Sequence, residues 1–292
     1  MQKILIVGAG DVARRILPLL VGRYRVFALV RNPDHAAIWR AAGAVPLLAD
    51  LDDRPSLNRL AGVADLILHL APPPNGGETD SRTRWLLAAL RKGKSLPWRL
   101  IYVSTTGVYG DCRGARIDET RPAAPATARG RRRLDAEERL RAAGCKGRIA
   151  VSLLRVPGIY AADRLPVDRL RAGLPALAAG DDVFTNHIHA ADLARACVAA
   201  LRRGRPNRTY NVVDDSAMKM ADYFDLVADA RGLPRPPRLP RPELAAVLSP
   251  LQMSFMGESR RIANQRMKTE LKLHLRYPTV AAGLRDAQER TA

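Results

Sequence analysis

The chain has 292 residues, 47% of them hydrophobic, and a formal net charge of +19 from 48 basic and 29 acidic side chains. That length holds one large domain, or one domain with a smaller lobe, around a sizeable core. Seven of the basic residues are lysine, the arginines run from Arg14 to Arg290, and aromatics are scarce, so the chain lacks the one-faced charge and stacking rings of a nucleic-acid binder while still attracting phosphorylated anions.

Through residue 155, short apolar runs alternate with helical stretches. The runs at 3–8 (KILIVG), 25–30 (RVFALV), 44–49 (AVPLLA), 64–71 (ADLILHLA), 99–104 (RLIYVS) and 148–155 (RIAVSLLR) are almost continuously apolar. Strands buried on both faces of a parallel sheet read this way. Helices are predicted near 11–22, 34–42, 54–61, 79–92 and 127–143. The alternation specifies an α/β fold, a doubly wound parallel sheet of Rossmann type. Another helix, HAADLARACVAALRR (189–203), precedes a last strand, TYNVV (209–213).

The character changes after Asp214. RGLPRPPRLPRPE (231–243) is a basic, proline-rich connector that no sheet interior accepts. Short helical pieces and the extended LKLHLRYPTV follow. The expected organisation is a dinucleotide-binding domain over 1–213 and a small C-terminal substrate lobe over 214–292. The segment 161–182 is expected to contribute to the lobe.

Gly8-Ala9-Gly10-Asp11-Val12-Ala13 follows the first strand and opens the first helix, which is the required setting of a G-x-G-x-x-G/A fingerprint. Gly8 makes the tight turn, and Gly10 lets the backbone approach a pyrophosphate. Ala13 permits close helix–strand packing, and the amides at Asp11 and Val12 offer positive potential. About twenty residues on, an NAD site expects a carboxylate for the ribose 2′-hydroxyl. Here stand Val30-Arg31-Asn32. Arg31, with Arg14 or Arg15, suits a 2′-phosphate instead, so NADP is expected and NAD is the alternative.

GAGDVA, ADLDD (49–53), HLAPP (69–73), YVSTTGVYGD (102–111), DETRP (118–122), LLRVPGIY (153–160), NHIHAADLARA (186–196) and YNVVDDSAMKMADYFDLVADARGLPRP (210–236) together resemble an extended or atypical short-chain dehydrogenase/reductase of the NAD-dependent epimerase/dehydratase type. The resemblance implies that Asp50 and Leu51 border the adenine, Ala71 and Pro72 lie along the cofactor ribose, and Pro157 to Ile159 flank the nicotinamide. It also implies catalysis by a Ser/Thr, a Tyr and a Lys: tyrosinate exchanges the alcohol proton, lysine lowers its pKa, and Ser/Thr orients the substrate oxygen.

Thr105 falls at the Ser/Thr position, with Ser104 and Thr106 beside it. The Tyr-x-x-x-Lys pair is replaced. Counting back from Ala136-Glu137 puts Arg133 in the lysine place and Arg129 in the tyrosine place; a one-residue slip puts Gly130 there. No tyrosine occurs between Tyr109 and Tyr160. Arg133 can hold a ribose or phosphate oxygen, but a guanidinium does not readily give up a proton. Tyr109, four residues after Thr105 and with Asp111 and Tyr160 as plausible neighbours, is the nearest substitute acid.

Two functions remain open. One is an NADP(H)-dependent oxidoreductase or epimerase-like enzyme with non-standard acid/base chemistry, acting on a small carbonyl or sugar-nucleotide substrate. The other is a non-catalytic dinucleotide sensor on the same scaffold. His187-x-His189 lacks a nearby third ligand, so no metal is expected. Cys112, Cys145 and Cys197 are isolated, which suits a reducing cytoplasm. No apolar run reaches the roughly 18 to 20 residues of a membrane span, and MQKILIVGAGD breaks too early for a signal peptide. A soluble cytoplasmic protein is expected, and relatives that pair through sheet-domain helices make a homodimer the assembly to test.

Overall fold

The computed structural model describes residues 1–146 and 149–289. Its centre is a seven-stranded, all-parallel sheet of β1 (Lys3–Val7), β2 (Arg25–Val30), β3 (Val45–Leu48), β4 (Leu66–His69), β5 (Arg99–Thr105), β6 (Ala150–Val156) and β7 (Arg208–Asn211). The spatial order is β7-β6-β5-β4-β1-β2-β3. The order reverses at β1, with Val7 in register with Leu29 on one side and His69 on the other. That crevice at the carboxyl ends is where sheets of this kind bind ligands. Residue 148, where the sixth predicted strand begins, lies outside the described residues.

Alternate residues of β1 serve opposite cores, as the two-residue period of a strand requires. Ile4 and Ile6 join one core with Ile16 and Leu20 of α1 (Asp11–Leu20). Leu5 and Val7 join the other with Leu86 of α3 (Ser81–Leu90) and Leu140 of α4 (Ala128–Cys145). The helix predicted at 34–42 is a 3-10 turn at Pro33–His35 continued by α2 (Ala36–Ala41). That predicted at 54–61 is a 3-10 helix, Pro55–Leu60, whose buried Leu57 and Leu60 keep its three-residue period.

A third core gathers Leu170, Leu177, Leu244 and Val280 around Phe224 and Val227 of α6 (Met220–Ala230). The lobe is woven back into the sheet domain. Met267, Leu271 and Leu273 pack in the first core beside α5 (Ala190–Arg203), and Arg261–Ile262 pairs with Arg116–Ile117. Within the proline-rich stretch, Arg238–Leu239 pairs with Ala176–Leu177, apart from the central sheet.

Candidate functional site

Two clefts open along the carboxyl edge of the sheet. The first, about 390 Å³, is lined by Gly8, Ala9, Arg31, Asp50, Leu51 and Pro72, with Asn32 and Arg82 at its rim. Gly8 has φ +99°, and a Cβ there would lie 2.5 Å from the Ala71 amide nitrogen. The β1–α1 turn therefore presses directly onto the end of β4, and only glycine allows both conformation and approach. Gly10 is different: a Cβ there would meet nothing within 4 Å. It caps α1 without a side-chain hydrogen bond, leaving the first amides facing open space.

An uncapped helix start beside a side-chain-free cradle fits the pyrophosphate of a dinucleotide. The Arg31 guanidinium is exposed at the end of β2. Arg15 is committed elsewhere: it donates to Asp11 at 3.1 Å and to Asp163 at 2.7 and 2.6 Å. It is thus not a free partner for a phosphate, whereas Arg14 is exposed. The Asp11 carboxylate also accepts from Arg164 at 2.7 Å. Against the cost of burial, these guanidinium contacts hold it below the usual carboxylate range.

The second cleft, about 440 Å³, has a sheet-side wall of Thr105, Thr106, Arg129, Arg133, Pro157 and Gly158. The lobe side contributes His187, Tyr223, Phe255, Glu258 and Arg260. Thr105 ends β5 and accepts the Gly107 N–H at its Oγ1, 3.1 Å away. Ser104 is turned inward, 3% exposed, and its Oγ has no hydrogen-bond partner among the described residues. Of the three adjacent hydroxyls, Thr105 and Thr106 reach the cleft wall and Ser104 does not.

Helix α4 starts where Thr127 accepts the Gly130 N–H at 3.1 Å. A Cβ on Gly130 would lie 2.8 Å from Pro125 Cβ and 3.1 Å from the Gly107 carbonyl, so glycine lets α4 rest on the turn after β5. Gly130 packs against that turn, and Arg129 and Arg133, one helical turn apart, line the cleft. Arg133 Nη1 donates to the Val103 carbonyl at 2.7 Å and to the Tyr102 hydroxyl at 3.1 Å. The Arg129 guanidinium lies 4.6 Å over the Phe255 ring. The neighbouring Arg131 and Arg132 face away, Arg131 to Glu78 and Arg132 to the Gly77 carbonyl at 2.7 Å.

Tyr109 does not fulfil the expectation of a substitute acid. It is 1% exposed, its hydroxyl donates to Asn211 Oδ1 at 2.7 Å, and it lies outside the cleft wall. Its ring packs under Arg155, 4.5 Å from the centroid. A buried pair in turn fixes Arg155, with its Nη2 2.7 Å from Glu137. The expected neighbours are also elsewhere. Asp111 accepts the Ser259 N–H at 2.8 Å, and the Tyr160 hydroxyl donates to the Thr279 carbonyl at 3.1 Å.

The lobe side of this wall was not legible as a site. His187 stacks on Tyr223, centroids 4.1 Å apart, and a Cβ on Gly158 would lie 3.4 Å from His187 Nδ1. Burial lowers the His187 pKa to about 3, so the ring is neutral. Burial and the nearby Asp214 carboxyl raise the Tyr223 pKa and keep its phenol protonated. The only sequence signal for Tyr223 is an aromatic on the apolar face of ADYFDL, which reads as core. Among the described residues no group of three or more His, Cys, Asp or Glu could hold a metal, and no helix is long and apolar enough to cross a membrane.

The model of the NAD dependent epimerase/dehydratase family matches residues 4–213. A ketoreductase of Stigmatella aurantiaca, named for 4-hydroxy-2-methyl-3-oxo-4-farnesyl-3,4-dihydroquinoline-1-oxide, is 27% identical over 248 residues. The match covers 77% of this chain and 72% of that protein. A functionally unknown conserved protein from Silicibacter pomeroyi is 30% identical with a TM-score of 0.80, covering 100% of this chain and 99% of the other. MoeE5, solved in complex with UDP-glucose and NAD, shares the fold at 21% identity and a TM-score of 0.76, with 99% and 98% covered.

Proposed function

The chain belongs to the NAD-dependent epimerase/dehydratase family, and from that premise we propose that it is an NADP(H)-dependent oxidoreductase that reduces a small carbonyl compound. The observation that carries this reading is the pair of adjoining features along one sheet edge. They are an open dinucleotide cradle at Gly10 and a cleft lined by Thr105, Arg129, Arg133 and Pro157. The likeness to a ketoreductase over 77% of the chain supports carbonyl reduction over epimerisation. The exposed Arg31 at the end of β2 supports the 2′-phosphorylated cofactor.

A bound nicotinamide supplies or accepts the hydride. The chain binds and orients around it: the α1 amides hold the pyrophosphate, Asp50 and Leu51 border the adenine, and Arg31 pairs with the 2′-phosphate. Thr105 orients the substrate oxygen through its hydroxyl. Arg133, pinned to Val103 and Tyr102, keeps a fixed positive charge where the family has lysine. Arg129 supplies charge and no proton.

The sensor reading draws on that same replacement, and one experiment separates the two. Intrinsic fluorescence is titrated with NADPH and NADH, and turnover is then followed on a panel of carbonyl compounds. Binding of NADPH with turnover is the expected result. NADPH binding without turnover favours a sensor, and failure to bind either nucleotide contradicts both.

A further inference from the structure

We infer that Tyr223 of the lobe is the proton donor of this site, in place of the tyrosine that α4 lacks. The inference rests on the reductase reading above. The chain has seven tyrosines, and five of their hydroxyls are engaged in hydrogen bonds. Tyr102 is fully buried and accepts from Arg133 at 3.1 Å. Tyr109 donates to Asn211 at 2.7 Å and Tyr160 to the Thr279 carbonyl at 3.1 Å. Tyr210 is held by the Arg205 N–H at 3.0 Å and Glu270 at 3.1 Å, and Tyr277 by Asp286 at 2.8 Å. Tyr24 precedes β2, at the opposite edge of the sheet. Tyr223 is the tyrosine that lines the cleft together with Thr105, Arg129 and Pro157.

Its placement is built rather than incidental. The ring is 7% exposed and stacked on His187 at an interplanar angle of 26°. His187 belongs to the strand His187–His189, which pairs with Gly158–Tyr160 directly after Pro157. The stack therefore ties the phenol to the backbone segment that the family resemblance sets beside the nicotinamide. The His187 ring, buried and stacked face to face on the phenol, forms its wall.

The step balances simply. A bound reduced nicotinamide would supply the hydride for the carbonyl carbon and be oxidised, and the carbonyl oxygen would take the Tyr223 hydroxyl proton. The tyrosinate left behind regains a proton from water, with the cations Arg129, Arg133 and Arg260 lining the same cleft. General-acid contributions are typically about 100- to 10,000-fold.

The test is Tyr223→Phe, which keeps the ring and the His187 stack, on the carbonyl compound that the wild type reduces best. The expected result is a fall of about 100-fold or more in kcat, with the NADPH dissociation constant and the unfolding temperature retained. Tyr109→Phe, assayed beside it, is expected to keep its turnover. Full turnover in Tyr223→Phe overturns the donor assignment while leaving the reductase reading in place. So does joint loss of NADPH binding and turnover, which marks a structural role. A wild type without turnover on any carbonyl overturns the reductase reading, and this assignment with it.

Discussion

His187 and Tyr223 stack with ring centroids 4.1 Å apart and planes inclined by 26°, both on the lobe-side wall of the second cleft. The contact positions the phenol, since His187 itself is neutral at any physiological pH. His187→Ala is therefore expected to lower kcat about tenfold or more through loss of positioning, with NADPH affinity retained. His187→Phe restores the flat wall and is expected to recover most of the turnover. Equal defects in the two variants would mean that the imidazole acts chemically.

Gly8 and Gly10 separate folding from binding. A Cβ at Gly8 collides with the backbone of Ala71 and must adopt φ +99°, so Gly8→Ala is expected to destabilise the fold by about 2 kcal/mol or more. At Gly10 a Cβ enters empty space. Gly10→Ala is expected to keep the urea midpoint and weaken dinucleotide binding about tenfold or more. Urea unfolding and fluorescence titration of both variants check the contrast.

Arg31 lines the first cleft, exposed and next to Asn32. The proposed pairing with a 2′-phosphate would be charge-assisted, worth about 1.5–3 kcal/mol when made well. Arg31→Ala is expected to raise the NADPH dissociation constant about tenfold or more and leave that of NADH nearly unchanged. An unchanged NADPH-to-NADH ratio would assign the preference to other residues.

Asp214 gives a pH signature. It is 4% exposed, and burial raises its pKa to about 7. The native state thus binds its proton more tightly than the unfolded chain. The stabilisation is fully present below the unfolded value near 4 and is lost as pH rises through about 7. At about 1.4 kcal/mol per pKa unit, the loss is on the order of 4 kcal/mol. His69 and His187, both lowered to about 3, act in the opposite direction as pH falls below about 6.5, so the comparison has to be internal. Relative to wild type, Asp214→Asn is expected to become progressively more stable between pH 4 and 8 in urea unfolding.

What the sequence made legible was set by local spacing. The Gly8–Ala13 fingerprint works through one turn and one helix start, so its residues carry their own geometry. The Arg129/Arg133 substitution could be counted from Ala136-Glu137 because a helix fixes its own period. Even there, Gly130, which packs on the Gly107 carbonyl, stands one residue away as the alternative. Tyr109 misled for the same reason that these succeeded. It is near Thr105 in the chain, but its hydroxyl turns into a buried contact with Asn211 from β7. His187 and Tyr223 meet only through the pairing of two distant segments with the sheet and the lobe. Tyr223 alone reads as a core residue, and His187 as half of a metal pair that lacks a third ligand.

The most direct test of the central claim follows the hydride. Purified protein is incubated with NADPH carrying deuterium at nicotinamide C4 and with a carbonyl compound that supports turnover, and the product is read by mass spectrometry and NMR. One deuterium at the new carbinol carbon, delivered from one face of the nicotinamide and matched by equal loss of NADPH, is the expected result. NADPH that binds and is recovered unoxidised, with its deuterium still in place, would contradict a reductase.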